Sequence, residues 1–276
     1  MILQSSQIEA ILKLLSDVDP DIAASIQTKL FQLGDQAVQE VLREAEPGSR
    51  EQREAGRILR CLQSPDVETQ IRTLDTDEDG DIDLEDGAFT LAKFAYPALD
   101  LPAYTARLDQ MAFELAPHIA PDDHPIHIIR ILNDHLFEKL GFHGLPHFEP
   151  EDSFVNRVMD RKRGLPVALS AIYLFLARRL DLPIVGVSMP AHFILKFKGD
   201  TDQEILIDPF NRGRILTRNE CAEKIGEDLT DKHLPEVSDR AILVRMITNL
   251  VRGFYGPLGN GDRAETLARF IKIIKS

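Results

Sequence analysis

Apolar residues recur every three or four positions along most of the chain, so helices are the main predicted element. Ile8, Ile11, Leu12 and Leu15 form the first such stripe. Asp19-Pro20 opens a second helix with proline in its first turn, Ile22, Ile26, Leu30 and Leu33 share one face, and Gly34 ends it. Val38, Val41 and Leu42 mark a third helix, and Ile58, Leu59 and Leu62 a fourth. Ser64-Pro65 then breaks the pattern. Helical spacing returns over 89–94, 104–115 and 127–140. A further helix is expected from Asp152 or Ser153 to Arg163, with Gly164 as its stop, and another from Pro166 that buries Leu169, Tyr173, Leu174, Ala177 and Leu180. Strand character is confined to 184–187, 193–197 and 204–207, and helices resume at Asn219. The pattern predicts an α+β fold that is mostly α, with a small antiparallel sheet.

Four segments follow from these breaks: 1–64, 65–95, 96–220 and 221–276. The stretch from Ile11 to Ala45 resembles a HEAT-like helical hairpin, with its Asp-Pro start and Leu-Gly turn. One such hairpin cannot bury its own core, so the first segment is expected to dock as a helical cap. Residues 242–274 resemble a tetratricopeptide-type helix pair, with Leu243, Met246, Leu250 and Tyr255 followed by Ala264, Leu267, Ala268 and Ile271. A single pair of this kind more often serves as a packing cap than as a peptide groove.

The 276 residues carry a formal charge of −13, and 75–86 alone hold eight acidic residues and no basic one. This balance argues against nucleic acid or an anionic membrane as partner and leaves protein or peptide. The longest apolar run, 165–177, is interrupted by Ser170 and Tyr173 and closed by Arg178-Arg179, too short to span a bilayer. The start, Met1-Ile2-Leu3-Gln4, has no basic region before an apolar stretch. Two cysteines, Cys61 and Cys221, make no disulfide framework, and the cytoplasm is the expected location.

Residues 75–86 resemble an EF-hand calcium loop. Asp75, Asp77 and Asp79 stand at positions one, three and five, and Gly80 permits the turn at six. Asp81 would offer its backbone carbonyl at seven, Ile82 is the apolar anchor, Asp83 fits nine, and Asp86 occupies twelve. A hard cation wants six or more oxygens, and carboxylates this dense repel one another without it. Asp86 has a shorter arm than the usual Glu, which makes magnesium a competitor for calcium. The loop is single, so a structural ion is expected rather than a sensor.

A second constellation lies between Gly164 and Asn211. A hairpin centred near Asp200 would set His192 and Asp208 face to face across the ladder, about 5 Å apart at Cβ. A carboxylate at that distance can hold an imidazole in one tautomer. A thiolate at the start of the Pro166 helix would complete a triad, because the helix dipole lowers a thiol pKa there. The runs Asp152-Ser153-Phe154, Val158-Met159-Asp160-Arg161, Arg163-Gly164-Leu165-Pro166, Pro190-Ala191-His192-Phe193 and Ile207-Asp208-Pro209-Phe210-Asn211 resemble the SirB-type branch of the transglutaminase-like superfamily. That resemblance implies a papain-like core in which a cysteine, a histidine and an aspartate act together. It assigns the last two roles to His192 and Asp208 and puts the cysteine position at Pro166. Proline has no nucleophile, which points to a pseudoenzyme used for binding or scaffolding. The rival is a hydrolase or acyltransferase with a non-cysteine nucleophile such as Ser170, one turn further on. A calcium-responsive interaction module is a third class. His124, His127, His135, His143 and His147 are the zinc candidates, and the pairs His124/His127 and His143/His147 have short spacings, but they have no partner cysteines, so zinc is not expected. Arg161, Lys162 and Arg163 suit a helix C-terminus, where the dipole favours cations.

Overall fold

A computed structural model of the protein describes residues 3–15, 19–62, 66–78, 80–120, 122–190, 192–199, 204–226, 230–255 and 261–276. The chain forms two compact units, Met1–Gln70 with Thr90–Asp100, and Ile71–Phe89 with Leu101–Ser276.

The first unit contains α1 (Ser5–Leu15), α2 (Pro20–Leu33), α3 (Asp35–Glu44) and α4 (Arg50–Leu62). Leu15, Leu30, Val38, Val41, Ala55 and Ile58 meet in one buried cluster. The four helices expected from the apolar spacing pool their stripes here and remove them from water together. Two helices, α5 (Val67–Arg72) and α6 (Leu84–Ala95), contribute residues to both units.

The second unit adds α7 (Leu101–Leu115), α8 (Pro125–Asn133) with a π-helical turn at Asp134–Lys139, α9 (Val155–Arg161) and α10 (Pro166–Arg179). Pro125 and Pro166 each sit in the first helical turn, where a missing N–H costs nothing. The centre of the unit is α10, buried without a break from Val167 to Ala177. A helix apolar all round is one surrounded by protein, and α7, α9 and α12 (Asp239–Asn249) all touch it.

The strands β1 (Ile184–Met189), β2 (His192–Phe197), β3 (Ile205–Asp208), β4 (Arg214–Leu216) and β5 (Glu236–Val237) form one antiparallel sheet in the order β4-β3-β2-β1-β5. One face carries Val187, Met189, Ile194, Leu206 and Leu216, which pack with Cys221 of α11 (Arg218–Ile225) and with Leu234. A capping box starts α11, Thr217 Oγ accepting from Glu220 N at 3.2 Å and Glu220 Oε2 accepting from Thr217 N at 2.8 Å. Beyond α12 the helix continues as a π-helical turn, Leu250–Tyr255, and α13 (Gly261–Lys275) closes the chain.

Two local expectations are corrected. The helix α9 ends on Lys162, which takes the left-handed conformation at φ 59°. Gly164 is needed for another reason: a Cβ there would lie 2.9 Å from the Val158 methyls. The β2–β3 hairpin pairs Leu195 with Ile207, Lys196 with Leu206 and Phe197 with Ile205, so it is centred one residue later than expected. In that register His192 and Asp208 are diagonal neighbours on one face, not direct partners.

Candidate functional site

His192 owes its place to the β1–β2 ladder. Met189 pairs with His192 in the β1–β2 ladder, so only two residues separate the strands and His192 opens β2. Asp208 ends β3, and its carboxylate caps the 3₁₀ turn Pro209–Asn211 by accepting from Asn211 N at 3.3 Å. Its side chain is 0% exposed. The imidazole spans the diagonal, bringing His192 Nε2 to 2.9 Å from Asp208 Oδ1. His192 Nε2 makes no formed hydrogen bond there, so the two side chains meet at contact distance. Asn211 Nδ2 donates to Asp208 Oδ2 at 2.7 Å, and Lys224 Nζ stands 3.5 Å from the same oxygen. Burial pushes the Asp208 carboxyl up, but His192, Asn211 and Lys224 together hold it below the usual carboxylate range.

His192 and Pro166 both line a cleft of about 710 Å³, together with Phe148, Phe193, Phe210 and Arg245. Phe210 meets the His192 ring edge-on, with centroids 6.0 Å apart. Gly144 makes room for it, since a Cβ at that position would lie 2.6 Å from the Phe210 carbonyl oxygen. Among the described residues no group forms a hydrogen bond to His192 Nδ1. Ser170 is buried and does not line the cleft. Cys221 is buried in the core against the sheet face that also carries Asp208 and does not line the cleft; burial, with Asp208 and Glu204 nearby, pushes its thiol up. The side chain of Cys61 lies outside the described residues.

The remaining motif residues build the frame. Asp160 accepts from Tyr104 Oη and Arg107 at 2.7 Å each, and Arg157 stands 3.5 Å away. Arg163 Nε donates to buried Asp152 at 3.1 Å, and Arg161 and Arg163 both reach Glu149. The Asp152 carbonyl takes the Leu165 amide at 2.9 Å. The basic residues at 161 and 163 therefore act in an ion-pair network that fixes the entrance to α10, more than in a helix dipole.

The acidic loop is organised differently. Gly80 makes the turn with φ 78°, Thr76 bridges Ile82, and Ile82 is buried. Asp81 aims its carboxylate at α12, accepting from Asp239 N at 2.7 Å and Arg240 N at 2.9 Å. Leu84 N returns the contact by donating to Asp239 Oδ2 at 3.2 Å, and Arg240 donates to the Gly80 carbonyl at 2.7 Å. Asp75, Asp77, Asp83 and Asp86 are exposed, and Asp79 lies outside the described residues. Among the described residues no three His, Cys, Asp or Glu side chains converge on a metal position. That holds for the histidines too: His124 caps α8 through Ile126 N at 3.3 Å, and His143 Nδ1 lies 3.0 Å from the Gly141 carbonyl.

Arg245, Asn249 and Arg252 also line the cleft, and sequence reasoning missed them. Their spacing of four and three along α12 and the following turn was the available signal.

A helix packed on an antiparallel sheet, with a His–Asp pair at the mouth of a cleft beside that helix's first turn, is the arrangement of a transglutaminase-like core. The family model of the transglutaminase-like superfamily matches residues 102–248, and the chain belongs to that superfamily. A UPF0162 protein of Xylella fastidiosa is 32% identical over 218 residues, covering 73% of this chain and 75% of the relative. Protein SirB1 of Salmonella typhimurium is 32% identical over 123 residues, 45% of this chain and 39% of its own length. Human F-box only protein 21 is 31% identical over 133 residues, 45% of this chain and 21% of its own. No solved structure matches the chain. Among the described residues no helix is long and apolar enough to cross a membrane.

Proposed function

We propose that the protein is a non-catalytic transglutaminase-like protein of the cytoplasm, which uses the His192 cleft to bind a protein or peptide. Pro166 carries this reading. It stands at the helix start that borders the cleft, and its ring offers neither a nucleophilic atom nor an N–H. Neither Ser170 nor Cys221 reaches the cleft to replace a thiolate. The buried Asp208 still holds His192 at the mouth of an open space, which suits recognition without turnover. The test is a screen for amine incorporation and peptide hydrolysis, run beside peptide-binding measurements. Turnover is expected to stay at the buffer background, while His192→Ala alters peptide affinity. Turnover abolished by alkylation of Cys61 or Cys221 would overturn the proposal.

The same reading gives the 75–86 loop a structural divalent cation, calcium with magnesium as competitor. Asp75, Asp77, Asp79, Asp83 and Asp86 would hold it by their carboxylates and Asp81 by its carbonyl. The donor set is all oxygen, and the sharp Gly80 turn and the Ile82 anchor suit such a loop. The Asp81 carbonyl already accepts from Asp77 N at 2.8 Å and keeps its second lone pair. The bound ion would offset repulsion among the carboxylates. Calcium at about a hundred times its Kd is expected to stabilise the fold by about 2.7 kcal/mol. No heat on titration and no rise in Tm would remove the ion from the proposal.

A further inference from the structure

The cleft is charged opposite to the chain. The sequence carries 45 acidic and 32 basic residues. The cleft is nevertheless lined by Arg245, Arg252, His147 and His192, with no Asp or Glu. Most arginines of this unit are tied to a carboxylate: Arg107 to Asp160, Arg163 to Asp152, Arg179 to Glu85 and Arg218 to Glu204. Among the described residues Arg245 and Arg252 have no such partner. Arg245 reaches only Ser188 Oγ, at 3.4 Å, and Arg252 is exposed. A chain with surplus acid that leaves two guanidinium groups unpaired in one concave site keeps them available for an acid from outside. Asn249 stands between them on consecutive turns and adds an amide donor. Much of the remaining lining is apolar, with Phe148, Phe193 and Phe210.

We infer that the ligand of this cleft is an acidic peptide segment, an inference that rests on the reading of the cleft as a peptide-binding site. A carboxylate sits on Arg245 and Arg252, and a neighbouring apolar side chain packs against Phe148 and Phe210. Guanidinium suits this because its planar fork donates two parallel N–H bonds to one carboxylate. An acidic side chain and a free C-terminus present the same group, and the probes below separate them.

The test is fluorescence anisotropy with three acetylated peptides: Leu-Glu-Phe-Glu-Leu amide, its glutamine analogue as the amide, and that analogue as the free acid. The glutamate peptide is expected to bind about tenfold or more tighter than the glutamine amide at low salt. The gap narrows at high salt and closes in Arg252→Glu, an exposed position where the variant keeps its Tm. A free-acid glutamine peptide that matches the glutamate peptide shows that one terminal carboxylate suffices and overturns the requirement for an acidic segment; one that binds like the glutamine amide assigns the site to acidic side chains. Equal binding of the glutamate peptide and the glutamine amide overturns the inference and leaves the peptide cleft standing. Binding of none of the three overturns both. Cleavage of a bound peptide removes the non-catalytic reading alone.

Discussion

The His192 cleft and the 75–86 loop were both marked in the sequence by aspartates, and they use them in opposite ways. Asp208 is fully buried and gathers partners inward: His192, Asn211 and Lys224 all face it. Asp81 accepts from Ile82 N of its own loop at 3.0 Å and also offers its carboxylate to the first amides of α12, a partner about 160 residues away in sequence. A buried carboxylate is costly unless its surroundings are complete, so its partners come as a set. A half-exposed one has no such requirement and is free to cap whatever amides lie near. Motif spacing located both residues, but neither the diagonal reach of His192 to Asp208 nor the cap that Asp81 gives α12 follows from it.

The largest effect is expected at Asp208. Replacing it by alanine leaves Lys224 and the Asn211 amides without their acceptor and His192 without its anchor, and should cost about 3–5 kcal/mol in urea unfolding. Since Asp208 titrates below the ordinary carboxylate range, the folded state holds fewer protons there than the unfolded chain. Its contribution is complete above the unfolded value, about 3.9, and is lost as pH falls through the lower folded value. The stability gap between the native chain and Asp208→Asn should thus be constant near neutrality and shrink below about pH 4. A gap independent of pH would mean that Asp208 is held by packing, and the contrast with Asp81 would weaken.

How far each region was legible depends on the reach of its signal. Pro166, His192 and Asp208 stand in ordered motifs, so their meeting could be expected. Their register could not, because the β2–β3 loop does not announce its centre and a shift of one residue changes direct partners into diagonal ones. β4 and β5, three and two residues long, are too short to show alternation. Gly164 read as a helix stop because glycine usually is one, while Lys162 took the left-handed position and Gly164 served close packing on Val158. The link from Asp81 to α12 is a contact across the fold, and no local pattern carries it.

A smaller effect is expected at Asp81. Alanine there removes the acceptor for two amides in the first turn of α12, worth about 1–2 kcal/mol by the usual cost of a lost cap. Burial, against the pull of Arg178, pushes the neighbouring Asp239 carboxyl up, and Asp81 adds to that push. Loss of Asp81 should therefore move Asp239 back toward its ordinary value and offset part of the lost cap. The sharper measurement is the same substitution with calcium and with EDTA. A cap costs the same in both. A destabilisation seen only with calcium would make Asp81 a side-chain ligand and give the two regions the same logic.

The smallest effect on stability, and the most direct test of the cleft, is expected from Pro166→Cys. Proline at the first helical turn restricts the unfolded chain, so its removal should cost under about 1 kcal/mol. The new thiol would stand at the uncapped start of α10 in the cleft that His192 lines, and both the helix dipole and the imidazole favour a thiolate. In a Cys61→Ser background, where the other thiol is the buried Cys221, iodoacetamide at neutral pH should label position 166 faster than free glutathione. His192→Ala in that background should remove the acceleration. An unactivated thiol would mean that the His192–Asp208 pair is not aimed at this helix start. The pair would then be a packing feature like the Asp152 and Asp160 networks, and the proposal that Pro166 leaves the cleft able to bind without reacting would lose its ground.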